Sequence, residues 1–169
     1  MNNCIQINPN HKEFILESLT LIDIESNEQE RSIALIGDVI KAIVLALKKS
    51  GYKSYFKAQN IYFHKNKKDF ITDFEIYAES SLFHIIEAKG SYGTSGAKEQ
   101  IKMQMIKTNC QNGCITDGFS WQFVRLISNT NSENKQVLDV EFVGSPIFLK
   151  NELDYIFDYI FKCLPGITA

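Results

Sequence analysis

The chain has 169 residues, 44% of them hydrophobic and 12% aromatic, with three prolines, which is enough apolar surface to bury the core of one domain. A formal charge of −2 argues against a protein that coats nucleic acid non-specifically, and four cysteines are too few for a disulfide scaffold. No window approaches about eighteen consecutive apolar residues, and the start MNNCIQINPNHKEF lacks a basic stretch followed by an apolar one. No membrane span or signal peptide is therefore expected, and the expected compartment is intracellular, cytoplasmic or nuclear. Cys4, Cys110, Cys114 and Cys163 are expected to be reduced thiols, because no second Cys or His pair lies near Cys110 and Cys114 to complete a metal site.

The charge is unevenly spread. Residues 1–40 hold two Lys/Arg against seven Asp/Glu, net −5; residues 41–107 hold twelve against six, net +6; the remainder hold four against seven, net −3. A local positive field of this kind suits a phosphate backbone despite the overall acidity. Taken singly, Lys48, Lys49, Lys53, Lys57, Lys65, Lys67 and Lys68 read as solvating a helix end and a loop.

A first helix is predicted over residues 10–19, capped by Asn10 with Glu13 three residues on. LIDIES, residues 21–26, is ambiguous between strand and loop. A long helix follows over residues 28–50: Ile33, Ile36, Ile40, Ile43 and Leu47 recur at helical spacing, Glu28 and Glu30 suit its positive start, and Gly51 ends it. Residues 55–63 read as a strand and HKNKKD, residues 64–69, as a polar turn.

Two strands come next, residues 70–78 and 82–89, joined at Glu79, Ser80 and Ser81. Strict alternation places Ile71, Asp73, Glu75 and Tyr77 on one side and Phe70, Thr72, Phe74 and Ile76 on the other. In the second strand Phe83, Ile85, Glu87 and Lys89 share a side. Strands apolar on both faces lie inside a sheet, where an unpaired charge costs several kcal/mol. Asp73, Glu87 and Lys89 therefore call for partners or a metal.

The glycine-rich loop GSYGTSG lacks the Lys-Ser/Thr ending of a P-loop. A helix over residues 97–109 sets Gln100 and Gln104 on one edge and Lys98 and Lys102 on the next. ITDGF carries a D-G hairpin turn. In SWQFVRLI, Trp121, Phe123 and Arg125 alternate on one face, with core packing favoured over base stacking for the tryptophan. A polar loop over residues 128–136 leads to an edge strand over 137–149. The final helix, residues 150–164, lines up Leu153, Ile156, Phe157, Ile160, Phe161 and Leu164. That stripe is expected to pack on the sheet; left open, it would serve as a homodimer surface. With no repeat or linker, a single domain is expected, its core at about residues 28–127 and a C-terminal strand and helix at 137–164.

The order helix, strand, strand with Asp73, strand with Glu87-Ala88-Lys89, helix, strand resembles the PD-(D/E)XK nuclease superfamily, the fold of many restriction and repair endonucleases. Thirteen residues separate Asp73 from Glu87, and Thr72 stands where the family name has Pro. The resemblance implies an α/β, restriction-endonuclease-like core, a central mixed β-sheet flanked by helices. It implies hydrolysis of phosphodiester bonds in DNA or RNA, DNA first, with Mg²⁺ or Mn²⁺. Asp73 and Glu87 would hold the metal with the Ala88 backbone carbonyl, and Lys89 would position the attacking water. Glu30 matches an acid on the first core helix that reaches the metal in many members, with Asp38 as a competitor and simple complementarity to the helix dipole as the plain alternative. Gln100, Gln104, Lys98 and Lys102 would face phosphate or base, although the tyrosine that completes the glutamine motif in some members is absent. The nuclease-like domains of Crinkler-type effectors look similar, and ITDGFSW shares that look; they set the alternative of a catalytically inactive nucleic-acid- or protein-binding module on the same fold. The plain alternative for Asp73, Glu87 and Lys89 is a solvated ion-pair cluster, worth at most about 1 kcal/mol.

Overall fold

A computed structural model describes residues 5–21, 28–65, 67–89, 95–130 and 136–164. The helical and alternating patterns resolve into α1 (Pro9–Leu21), α2 (Glu28–Lys49), β1 (Ser54–His64), β2 (Lys67–Ala78), β3 (Ser81–Ala88), α3 (Ser95–Thr108), β4 (Asn112–Thr116), β5 (Ser120–Thr130), β6 (Gln136–Phe148) and α4 (Leu149–Lys162). The strands form one mixed sheet in the order β1-β2-β3-β4-β5-β6. Neighbours are antiparallel except β3 and β4, which run parallel and so require the crossover that α3 supplies. The chain is thus α/β, a six-stranded mixed sheet with helices on both faces.

The two faces have separate cores. On one, the stripe of α2 (Leu35, Ile36, Val39, Ile40) and that of α4 (Ile156, Phe157, Ile160) pack with Ile15 of α1 against Phe74, Ile86, Trp121 and Phe123. The apolar stripe of α4 is therefore turned into this core. On the other face α3 places Ala97, Ile101 and Met105 over Ile85, Ile115 and Val124. Gly113 of β4 makes that approach close: a Cβ there would meet Ile101 Cδ1 and the Ile85 carbonyl at 3.0 Å.

Local conformation follows the residues. Glu79 and Ser80, with φ of 49° and 68°, form the tight two-residue link between β2 and β3, whose register then shifts by one residue between Ile76 and Tyr77. Gly51, φ 92°, ends α2. LIDIES falls at Leu21, the last residue of α1, and on residues outside those described.

Two sequence expectations change. The polar turn is shorter than HKNKKD, since β2 begins at Lys67. Strict alternation along β2 also fails: the Thr72 hydroxyl donates to Glu75 at 2.8 Å, and Phe70 stacks on Tyr62, whose hydroxyl donates to the same carboxylate. Phe70, Thr72, Glu75 and Tyr77 therefore gather on one face, and Gln59, at the matching point of β1 between the Ala58↔Phe74 and Asn60↔Thr72 pairs, takes a positive φ of 48°. Trp121 is fully buried and donates its indole N–H to the Gly118 carbonyl, while Arg125 is exposed and paired with Glu141. The aromatic ridge of β5 is core, not a stacking surface.

Cys110, Cys114 and Cys163 are free thiols. Burial pushes Cys110 and Cys163 up to about 12 and Cys114 well above its ordinary value, so they are poor nucleophiles. Cys4 lies outside the described residues. Among the described residues no helix is long and apolar enough to cross a membrane.

His84 of β3 is fully buried beside Phe83 and Phe123, and neither ring nitrogen has a hydrogen-bond partner among the described residues. Burial lowers its pKa to about 3. The unfolded chain takes up this proton near pH 6.5 and the folded one does not, so stability is lost as pH falls, by up to about 1.4 kcal/mol per pH unit. Urea melts of His84→Leu and the native protein should therefore diverge between about pH 6.5 and 4, the native protein losing more. Parallel profiles would contradict this placement of His84.

Candidate active site

The β2–β3 hairpin builds the site. Phe74 pairs with Ile86, so one step further Asp73 stands opposite Glu87 at the C-terminal end of β3. The backbone N–H of Ala88 donates to Asp73 Oδ2 at 2.8 Å. Beyond the strand, the N–H of Lys89 donates to the Thr116 carbonyl at 2.8 Å, which ties the end of β3 to the end of its parallel neighbour β4. The carboxyl ends of parallel strands are where α/β sheets commonly bind ligands.

Lys89 and Glu87 meet as the sequence alternation predicts, with Nζ 2.8 Å from Glu87 Oε1. α3 supplies the remaining contacts. Lys89 Nζ also donates to Gln100 Oε1 at 2.9 Å, and Gln104 Nε2 donates to Glu87 Oε2 at 2.7 Å and to the Ile71 carbonyl at 2.9 Å. Asp73, Glu87, Lys89, Gln100 and Gln104 thus come together from β2, β3 and α3. The Glu87 side chain is 0% exposed and that of Lys89 31%, so the cluster opens to solvent at the lysine.

Burial is the main force on both acids. It raises the pKa of Asp73, against which the Ala88 N–H, Lys89 and Glu87 act. It raises that of Glu87, and the Asp73 charge raises it further, while Lys89 and Gln104 pull it down. Two acids and one lysine leave a surplus of negative charge out of water, which a divalent cation would neutralise.

The donor set suits a hard cation. Both carboxylates offer oxygen, and in an extended strand N–H and C=O of one residue point to the same side, so the Ala88 carbonyl shares the side of its N–H, toward Asp73. Among the described residues no group of three or more His, Cys, Asp or Glu could hold a metal. Two carboxylates and one carbonyl would leave the other positions to water, an arrangement that Mg²⁺ accepts. Gln104 Oε1, buried and without a hydrogen-bond partner among the described residues, is an open acceptor beside Glu87.

Other expected site residues stand elsewhere or act differently. Gln104 is fully buried, so it orients Glu87 rather than reaching a phosphate or base. Lys98 lies over the Phe142 ring, 5.4 Å from its centroid, and Lys102 pairs with Asp139 at 3.1 Å. Both contacts join α3 to β6. Glu30 is in α2, with its side chain outside the described residues. Asp38 pairs with Lys41 one turn on.

The sequence reading gave Glu75 no role. It is fully buried and accepts hydrogen bonds from Asn60 Nδ2 (2.9 Å), Tyr62 OH (2.6 Å), Thr72 Oγ1 (2.8 Å) and Tyr77 OH (2.7 Å). Burial, then the adjacent carboxylate, pushes Tyr62 up to about 12 and Tyr77 higher still. The available signal was an acid inside an apolar strand flanked by Thr72 and Tyr77, but its β1 donors appear only once the strands are paired. Comparison with protein-family models, curated proteins and solved structures finds no match to the chain.

With folded pKa values above the ordinary ones, Asp73 and Glu87 contribute stability that is fully present below about pH 4 and lost as pH rises through the raised values. Asp73→Asn keeps an acceptor for the Ala88 N–H and removes one charge. In metal-free buffer it should raise Tm by roughly a few degrees near pH 7.5, with the gain vanishing toward pH 4. A loss at pH 7.5, or a gain that ignores pH, would contradict the placement of the acids.

Proposed function

We propose that the chain is a divalent-metal-dependent nuclease with a restriction-endonuclease-like core. The observation that carries this reading is the meeting of Asp73, Glu87 and Lys89 at the facing ends of β2 and β3, the three residues the superfamily motif requires, beside α3 with Lys89 partly exposed. The sheet order and the α3 crossover between β3 and β4 are compatible with that core.

Asp73, Glu87 and the Ala88 carbonyl would hold Mg²⁺ or Mn²⁺. When bound, the ion supplies charge neutralisation at the phosphoryl group and a water of lowered pKa. The chain's own residues then position and exclude. Gln104 fixes Glu87 through one oxygen and Lys89 occupies the other, so the carboxylate cannot rotate freely. Lys89, anchored by its backbone to Thr116 and by Nζ to Gln100, presents its amine at the solvent side, where it would meet a scissile phosphate and orient the attacking water.

One observation favours the alternative, a nucleic-acid- or protein-binding module without cleavage. Glu87 Oε2 accepts from Gln104, and Oε1, which has no hydrogen bond among the described residues, lies 2.8 Å from Lys89 Nζ, so the carboxylate's charge is offset without an ion. The two readings separate on plasmid DNA and single-stranded RNA incubated with purified protein and Mg²⁺ or Mn²⁺. The nuclease reading expects cleavage that Asp73→Ala abolishes and that Lys89→Ala, still folded and still binding metal, lowers by about 100-fold or more. An unchanged nicking rate in Lys89→Ala defeats the assignment.

A further inference from the structure

β1 and β2 carry two aromatic stacks that the site does not use. Tyr55 lies parallel to Tyr77, ring centroids 4.7 Å apart and planes within 6°, and Tyr62 lies parallel to Phe70 at 4.3 Å, again within 6°. In each stack the inner ring comes from β2 and is buried, while the outer ring comes from the edge strand β1; Tyr55 is open, at 41%, and Tyr62 is half-buried. A lysine accompanies each: Lys57 Nζ is 5.0 Å from the Tyr77 centroid and Lys107 Nζ is 5.3 Å from that of Phe70.

Glu75 sets the arrangement. It accepts the hydroxyls of both Tyr62 and Tyr77, one ring from each stack, so both planes are held before any partner arrives. Such a pre-set aromatic surface loses little entropy when something stacks on it. It is also joined to the site. Gln104 of α3 holds Glu87 and the Ile71 carbonyl, and Lys107 in the same helix reaches Asp69 and the Phe70 ring.

The chemistry of the surface selects an occupant. Glu75 is buried, Asp69 and Lys107 offset each other, and Lys57 has no ion-pair partner among the described residues, so Lys57 supplies the positive charge beside the open ring, within the segment that carries net +6. A flat open ring with a lysine beside it fits a polyanion whose planar groups are free to stack. A duplex hides its base faces, whereas a single strand offers them.

We propose that this ledge binds single-stranded nucleic acid, with an unpaired base on Tyr55 and a phosphate at Lys57, leading the strand toward Asp73. The direction of the track rests on the nuclease reading; the binding does not. The test is fluorescence anisotropy of a labelled oligothymidylate about twenty nucleotides long with the full chain in EDTA, beside a duplex of equal length. The single strand should bind at least about 10-fold more tightly than the duplex. Tyr55→Ala should weaken it by roughly 5- to 100-fold, and Tyr55→Trp, which keeps a stacking face, should restore it. Urea melts confirm that the variants are folded. Equal binding of duplex and single strand, or affinity indifferent to Tyr55→Ala, overturns the ledge. Asp73-dependent cleavage with binding indifferent to Tyr55 sinks the ledge alone, and Tyr55-dependent binding without any cleavage sinks the nuclease reading alone.

Discussion

Glu87 is a carboxylate with no access to water, and its surroundings are arranged to make that tolerable. An isolated buried charge costs several kcal/mol or more, so each of its oxygens needs a partner. Lys89 takes one and Gln104 the other. Bringing Gln104 within reach requires α3 to lie close to the sheet, which depends on the missing side chain of Gly113 under Ile101. Holding Lys89 in place requires the bond from its backbone to Thr116 at the end of β4. The parallel β3–β4 pair and its crossover helix therefore serve one buried acid and the lysine beside it.

The sheet contains a second acid of this kind, and the contrast is informative. Glu75 sits one strand away and is equally buried, yet it is surrounded by neutral donors: two tyrosines, a threonine and an asparagine. Among the described residues no lysine or second carboxylate joins it. Such a saturated shell organises the β1–β2 face and leaves no room for chemistry. Glu87 instead shares its site with another acid and a partly exposed lysine. The surplus charge left there invites a cation, which is why the functional reading centres on Glu87 and treats Glu75 as a brace for the aromatic ledge.

Much of this was legible from residue order because the relevant periods are short. The side-chain alternation of β3 put Glu87 beside Lys89, whereas Asp73 comes opposite Glu87 only through the register shift between Ile76 and Tyr77, which the Glu79-Ser80 turn alone does not set. The stripes of α2 and α4 followed from their helical spacing. What stayed hidden depends on contacts between distant segments. Which edge of α3 meets β6 cannot be read from the helix alone, so Lys98 and Lys102 were expected at substrate and instead join Phe142 and Asp139. The donors around Glu75 emerge only when β1 is paired with β2 and the alternation breaks near Thr72. Gln104 had the right neighbourhood and the wrong role, since spacing fixes a helix face but not its depth in the core.

The account stands or falls on whether the facing acids of β2 and β3 bind a divalent ion. Mn²⁺ titrated into metal-free protein at neutral pH, with free ion followed by electron paramagnetic resonance, measures this directly. The account predicts one bound Mn²⁺ per chain, displaced by excess Mg²⁺ and lost in a folded Asp73→Ala variant. Native protein that takes up no Mn²⁺, or a variant that binds it as well as the native chain, would contradict it.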